Sequence, residues 1–193
     1  GILWFTAQGA NQVGRIDPKT GEVKMVQVPT RFAAPYGIVV SSKGVPFFDE
    51  FCSNKIGAID PATMQIKEYV LPHQDSRPRR IAITPDDIIW YGDYSRGYLG
   101  RLDPKTGEVK EWASPSGPKS EPYGIVFTKG ALWYNESGAR PNTIVRFEPG
   151  TEKFQSWAIP DGGDIVRNMD VTPDGNPVIA NSLANQVGLV TVE

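Results

Sequence analysis

The 193 residues contain one cysteine, Cys52, and one histidine, His73. A single thiol excludes an intramolecular disulfide framework, and with no Cys-x-x-Cys there is no thiolate pair for zinc or redox exchange. No apolar run approaches the ~18 residues of a membrane span, and the first residues lack the charged-then-apolar pattern of a signal peptide. A soluble chain with no membrane partner is therefore expected, its compartment open. Positive charge is not in excess, since 20 Lys and Arg stand against 22 Asp and Glu for a net charge of −2. Binding to a nucleic-acid backbone is not expected from that balance. Nucleophile-elbow, zincin, P-loop and dinucleotide signatures are also missing. Nor does any segment sustain a 3.6-residue period, and 20 glycines with 17 prolines leave little room for long helices.

What the chain has is a repeat. Gly14-Arg15-Ile16-Asp17-Pro18-Lys19-Thr20-Gly21-Glu22-Val23-Lys24 is almost restated from Gly100 to Lys110, and an acid-Pro pair falls at 17, 60, 103 and 148. A second marker runs Pro35-Tyr36-Gly37-Ile38, Pro78-Arg79-Arg80-Ile81, Pro122-Tyr123-Gly124-Ile125 and Val166-Arg167-Asn168-Met169. A third is aromatic: Leu3-Trp4-Phe5, Phe47-Phe48, Ile89-Trp90-Tyr91 and Leu132-Trp133-Tyr134. Each unit of about 43 residues holds four short β-branched or aromatic runs punctuated by Gly, Pro, Asp or Asn.

Four strands per unit predict an all-β fold, a β-propeller of four-stranded antiparallel blades, because such a sheet buries both faces only by stacking on neighbours around an axis. The expected single, partial propeller divides into blades at 1–33, 34–76, 77–120, 121–164 and 165–193. With 18 strands expected, about 4.5 blades are present, and the incomplete first and last sheets leave open edges suited to self-association. The Asp-Pro-Lys-Thr-Gly segments read as turns, with Gly21 and Gly107 taking positive φ. Trp4, Trp90 and Trp133 read as packing between blades.

The ends of the second strand in each unit align as Ala7, Glu50, Asp93, Glu136 and Asn181, and the starts of the innermost strands as Tyr36, Arg79, Tyr123 and Arg167. If equivalent positions ring the axis, these carboxylates, guanidinium groups and phenols line a funnel for a polar ligand with carbonyl or anionic groups. The alternative is that Arg79 and Arg167 pair with Glu50, Asp93 or Glu136 and only neutralise the channel mouth.

The run Leu-Trp-Phe-Thr, Asn-Gln-Val-Gly-Arg-Ile-Asp and Pro-Tyr-Gly-Ile resembles the streptogramin B lyase (virginiamycin B lyase) family of antibiotic-resistance propellers across essentially the whole chain. The resemblance implies a seven-bladed parent, of which this chain matches part. It also implies a magnesium-dependent carbon–oxygen lyase that opens a cyclic depsipeptide by elimination, with a histidine base on the axial face. The family's Glu-Pro-His-Gly-Ile is matched locally by Glu121-Pro122-Tyr123-Gly124-Ile125, followed by Glu136. The likeness thus assigns Glu121 and Glu136 to the metal and catalytic carboxylates, with Mg2+ as cofactor and Ca2+ as alternative, and puts Tyr123 where the histidine stands. No innermost strand of this chain begins with histidine, which sets lyase activity in doubt. His73, in a connecting loop, is the only other candidate base. Asn168-Met169-Asp170 is similar to the metal-binding strand of calcium-dependent sugar lactonases, which makes Asn168 a candidate ligand. Three readings follow: a lyase-like propeller binding a polar, cyclic-peptide-like small molecule; a non-enzymatic binding or assembly module; and a metal-dependent lactonase or hydrolase.

Overall fold

The computed structural model describes residues 1–192. It contains five antiparallel meander sheets. The first is β1 (Leu3–Ala7), β2 (Gln12–Ile16) and β3 (Val23–Gln27); the second is β4 (Pro35–Val40), β5 (Pro46–Glu50), β6 (Lys55–Ile59) and β7 (Ile66–Val70). The third is β8 (Pro78–Ile83), β9 (Ile89–Asp93), β10 (Tyr98–Leu102) and β11 (Val109–Ala113). The fourth is β12 (Pro122–Thr128), β13 (Ala131–Glu136), β14 (Thr143–Glu148) and β15 (Lys153–Ala158), and the fifth β16 (Val166–Val171), β17 (Pro177–Asn181) and β18 (Gln186–Leu189). The sheets lie within the five expected ranges, whose last residue, 193, is outside the described residues. Strands β4, β8, β12 and β16 pack side by side around the axis, and β1 adjoins β4. This is the partial β-propeller expected; among the described residues blades 2–4 hold four strands each and blades 1 and 5 three each.

The cores lie between blades. Phe47, Ile56 and Ala58 of blade 2 pack with Ile81, Ile89 and Leu102 of blade 3, and Trp90 and Leu99 of blade 3 with Leu132, Val145 and Phe147 of blade 4. Full burial of side chains this size stabilises by about 1.5–3 kcal/mol each, so the tandem arrangement itself supplies the core. Trp90 is buried in the seam between blades 3 and 4 and Trp133 in that between blades 4 and 5, stacked on Trp112 and Trp157 at 5.5 and 5.9 Å. Small residues make the aromatics fit: a Cβ on Gly100 would lie 2.0 Å from the Tyr91 ring on the paired strand.

The outer hairpins follow from turn chemistry. Asp17 Oδ1 accepts the Lys19 N–H at 2.8 Å and Asp103 Oδ1 that of Lys105 at 2.9 Å, while Gly21 and Gly107 adopt φ of 74° and 78°. Each innermost strand of blades 2–5 is irregular just after it begins, between Pro35 and Ile38, Pro78 and Ile81, Pro122 and Ile125, and Val166 and Asn168. These bulges re-aim the side chains at the axis, and the site is built on them. Among the described residues, no helix is long and apolar enough to cross a membrane.

Candidate functional site

The aligned acids do not form an open ring. Glu50, Asp93 and Glu136 are fully buried, and Asn181 nearly so. Glu136 accepts hydrogen bonds from the hydroxyls of Ser114, Ser116 and Thr143 and from the Ser116 N–H, which ties β13 to the loop leading into its blade. Asp93 accepts the Arg77 N–H at 3.0 Å and Arg96 Nη1 at 3.1 Å. Glu50 accepts from Ser53 at 2.7 Å. Asn181 faces not the axis but a groove of about 510 Å³ between blades 4 and 5, lined also by Trp157, Ile159 and Val187. These four residues thus do not ring an open funnel: they are buried, with Glu50, Asp93 and Glu136 accepting from neighbouring loops and Asn181 Oδ1 without a partner among the described residues.

The neutralised-mouth alternative falls with it. Among the described residues neither Arg79 nor Arg167 makes an ion pair, whereas Asp93 is bridged to Arg96.

A different cluster forms at the start of the innermost strands. The Arg79 guanidinium carbon lies 3.9 Å from the Tyr123 ring centroid, 4.3 Å from Tyr94, 4.7 Å from Phe51 and 5.9 Å from Tyr36. Successive rings around this cation are 6.0–6.3 Å apart, from Tyr36 to Phe51, Tyr94, Tyr123 and back to Tyr36. Tyr36 and Tyr123, from blades 2 and 4, share a hydroxyl hydrogen bond of 2.7 Å across the axis. Electron-rich ring faces offset part of the cost of holding a guanidinium away from bulk water, roughly 0.5–2 kcal/mol per contact. Among the described residues, Arg79 Nε is buried without a hydrogen-bond partner.

Glu121 joins this cluster by accepting the Tyr94 hydroxyl at 2.9 Å. Its φ of 51°, just before Pro122, is the left-handed region, a strained conformation. Glu121 and Glu136 therefore diverge, one toward the aromatic cage and the other into blade 4. Both Glu136 oxygens are already occupied by protein donors, and among the described residues no group of three or more His, Cys, Asp or Glu side chains converges. Glu136 is thus engaged by hydroxyl and amide donors around blade 4 and is not turned with Glu121 toward the cage. Tyr123 is likewise not poised as a base: burial, then its hydrogen bond to Tyr36, raises its hydroxyl above the ordinary phenol value despite Arg79. His73 lies elsewhere, with Nε2 3.4 Å from Glu111 on the outermost strand of blade 3.

Below the cage, the innermost strands enclose an axial cleft of about 320 Å³ lined by Arg80, Arg167 and Asn168 among others. Asp49 anchors it from beneath: its Oδ2 accepts the N–H of Gly37 at 2.9 Å and of Arg80 at 3.1 Å. Thus one carboxylate holds the bulges of two blades. Blade 3 needs this help because Gly92 occupies the corresponding slot of β9, where a Cβ would meet Pro122 at 3.0 Å. Burial raises the Asp49 carboxyl well above the usual range, although the Gly37 N–H and the two arginines oppose the shift.

Of the residues singled out from the sequence, Tyr36, Arg79, Tyr123 and Glu121 come together, and Arg167 and Asn168 share the adjoining cleft. Phe51, Tyr94, Arg80 and Asp49 went unrecognised. Phe51 and Tyr94 follow directly on the aligned Glu50 and Asp93, so the repeat itself carried the signal for them.

Residues 1–129 match the model of the virginiamycin B lyase family. Virginiamycin B lyase from Staphylococcus aureus superposes with a TM-score of 0.90 at 29% identity, covering 100% of this chain and 64% of that one. The same scores hold for its catalytically inactive histidine-to-alanine variant with quinupristin. A streptogramin B lyase structure gives a TM-score of 0.84 at 25% identity, covering 100% of this chain and 66% of that one. No curated protein sequence matches significantly. The chain thus spans less than two thirds of the length of the S. aureus enzyme.

Proposed function

The chain belongs to the virginiamycin B lyase family, and from that premise we propose that its axial face recognises a polar, cyclic-peptide-like ligand without carrying out the elimination itself. The caged Arg79 carries this reading. A guanidinium fixed by four rings and free of any carboxylate is a preorganised donor for the carbonyl oxygens of a peptide or depsipeptide ring. The Tyr36–Tyr123 hydroxyl pair and the Tyr94–Glu121 pair add polar contacts at the same mouth. The family's histidine base has no counterpart among these groups: its place is held by Tyr123, whose hydroxyl is raised, and the single histidine lies on the outer side of blade 3.

Quinupristin, present in one of the S. aureus structures, is the probe of choice. Calorimetric titration should give saturable binding that Arg79→Gln weakens by about tenfold, and mass spectrometry should find the cyclic compound intact. No binding to the unmodified protein overturns the recognition site, while a linear product overturns the absence of elimination.

A second reading, self-association, is favoured by the incomplete sheets, where Leu3 on β1 and Val187 and Leu189 on β18 are exposed. Sedimentation velocity across a concentration series should show dimers or larger species; a strict monomer removes this reading. The lactonase reading has less behind it, because a putative gluconolactonase aligned at 12% identity, with a TM-score of 0.72, shares the fold alone.

A further inference from the structure

We infer that the axial cleft beneath the cage is an oxyanion site, in which Arg80, Arg167 and Asn168 hold a carboxylate or phosphate group. This deepens the axial reading and rests on it only in taking the strand face as open to a ligand; the groups involved are different. The cleft is about 320 Å³, room for a small anion with its water, and among the described residues Arg80 and Arg167 are the only charged ones lining it. Neither arginine has a carboxylate within ion-pairing distance among the described residues. Arg80 Nε is buried without a hydrogen-bond partner, and its guanidinium rests over the Tyr36 ring at 4.5 Å.

The surrounding charges reinforce the argument. The chain as a whole is acidic, at −2, so two unpaired cations around one cavity are not a consequence of composition. Asp49, the acid on which Arg80 acts, is fully buried, turns its Oδ2 to the backbone, and is held toward its neutral form by burial. Arg167 and Asn168 are exposed on β16, which closes the cleft from the side opposite β4. Two guanidinium groups and an amide lining one cleft from blades 3 and 5 suit an oxyanion, whose several lone pairs accept from separate directions.

The test is an NMR titration of the isotopically labelled protein at constant ionic strength, with inorganic phosphate in one arm, succinate in a second and chloride in a third. Saturable shifts at Gly37, Gly124, Asn168 and the Arg80 side chain are expected with at least one oxyanion and not with chloride. The stronger arm identifies the group as phosphate or carboxylate. Arg167→Gln, at an exposed position that leaves the fold intact, should weaken binding by about tenfold; Arg80→Gln should do the same, and Arg79→Gln should not. Linear responses equal to those in chloride, or unaltered affinity in Arg167→Gln, overturn the inference. Quinupristin titrations of the same samples keep the two proposals apart. Quinupristin binding without an oxyanion response sinks only the cleft, and an oxyanion response without quinupristin binding sinks only the recognition site.

Discussion

Blades 2 and 4 begin with the same Pro-Tyr-Gly-Ile strand and present a polar pair at the same place on the next one, Asp49-Glu50 in one and Asn135-Glu136 in the other. In blade 4 the pair is complete. Asn135 Oδ1 accepts the Gly124 N–H at 2.7 Å and its amide donates to Ser137 at 2.9 Å, while Glu136 takes hydrogen from Ser114, Ser116 and Thr143. In blade 2 one oxygen of each acid, Asp49 Oδ1 and Glu50 Oε1, is buried with no partner. The residue after Glu136 is Ser137, which serves the pair; the residue after Glu50 is Phe51, which serves the cage. One blade spends this slot on its own stability and the other on the axial site, in keeping with the rule that unsatisfied buried groups gather where function is built.

That contrast can be broken from either side. The largest effect is expected from Glu136→Ala, which leaves three hydroxyls and an amide N–H around a void: a loss of about 3 kcal/mol, or about 6–12 °C in Tm, measurable by calorimetry. A loss below about 1 kcal/mol would mean that blade 4 is not held together by this carboxylate.

Glu50 should behave oppositely and in a pH-dependent way. Burial pushes its carboxyl from 4.5 up to about 7, with Glu68 nearby adding to the shift and Ser53 and Lys55 opposing it. Below pH 4.5 it is protonated whether folded or unfolded and costs nothing. Between 4.5 and about 7 the unfolded chain releases a proton that the folded chain keeps, so stability falls as pH rises, and above about 7 the loss is complete. Glu50→Gln should therefore raise Tm by about 2–4 °C at pH 8 and leave it unchanged at pH 4. A gain equal at both pH values would show that charge is not the cause. The carboxyl of Glu68 itself shifts the other way: burial alone would raise it, but Lys55 and Thr30 bring it below the ordinary value.

Smallest is Asp49→Asn, which gives blade 2 the amide of blade 4. The acceptor for Gly37 and Arg80 is retained while the buried acid is removed, so a gain of under about 1 kcal/mol, absent below pH 3.8 where the carboxyl is protonated in both states and appearing as pH rises above it, is expected from urea unfolding. A loss at every pH would show that the second oxygen of Asp49 has a use the amide cannot meet.

Half of the site was legible because the repeat marks it. Tyr36, Arg79, Tyr123 and Arg167 occupy one position of the unit, and strands stacked around an axis bring one position to one level. Glu50, Asp93, Glu136 and Asn181 share a position equally well, yet point into the blades. Adjacent residues of a strand face opposite ways, and the bulge after Pro35, Pro78 and Pro122 resets which of them faces the axis. Periodicity counts residues; it does not report the parity that a bulge changes.

The tandem of four-stranded blades is written in the chain, where turn residues and apolar runs recur every 43 to 45 residues. The family is written there too, through motifs spread along it. It took the folded arrangement to bring four rings around Arg79, to let Asp49 serve two blades, and to line one cleft with Arg80 and Arg167. Those are relations between residues tens of positions apart, fixed by how far each blade turns about the axis and by which side of a strand a bulge exposes, and neither quantity is local to any stretch of the chain.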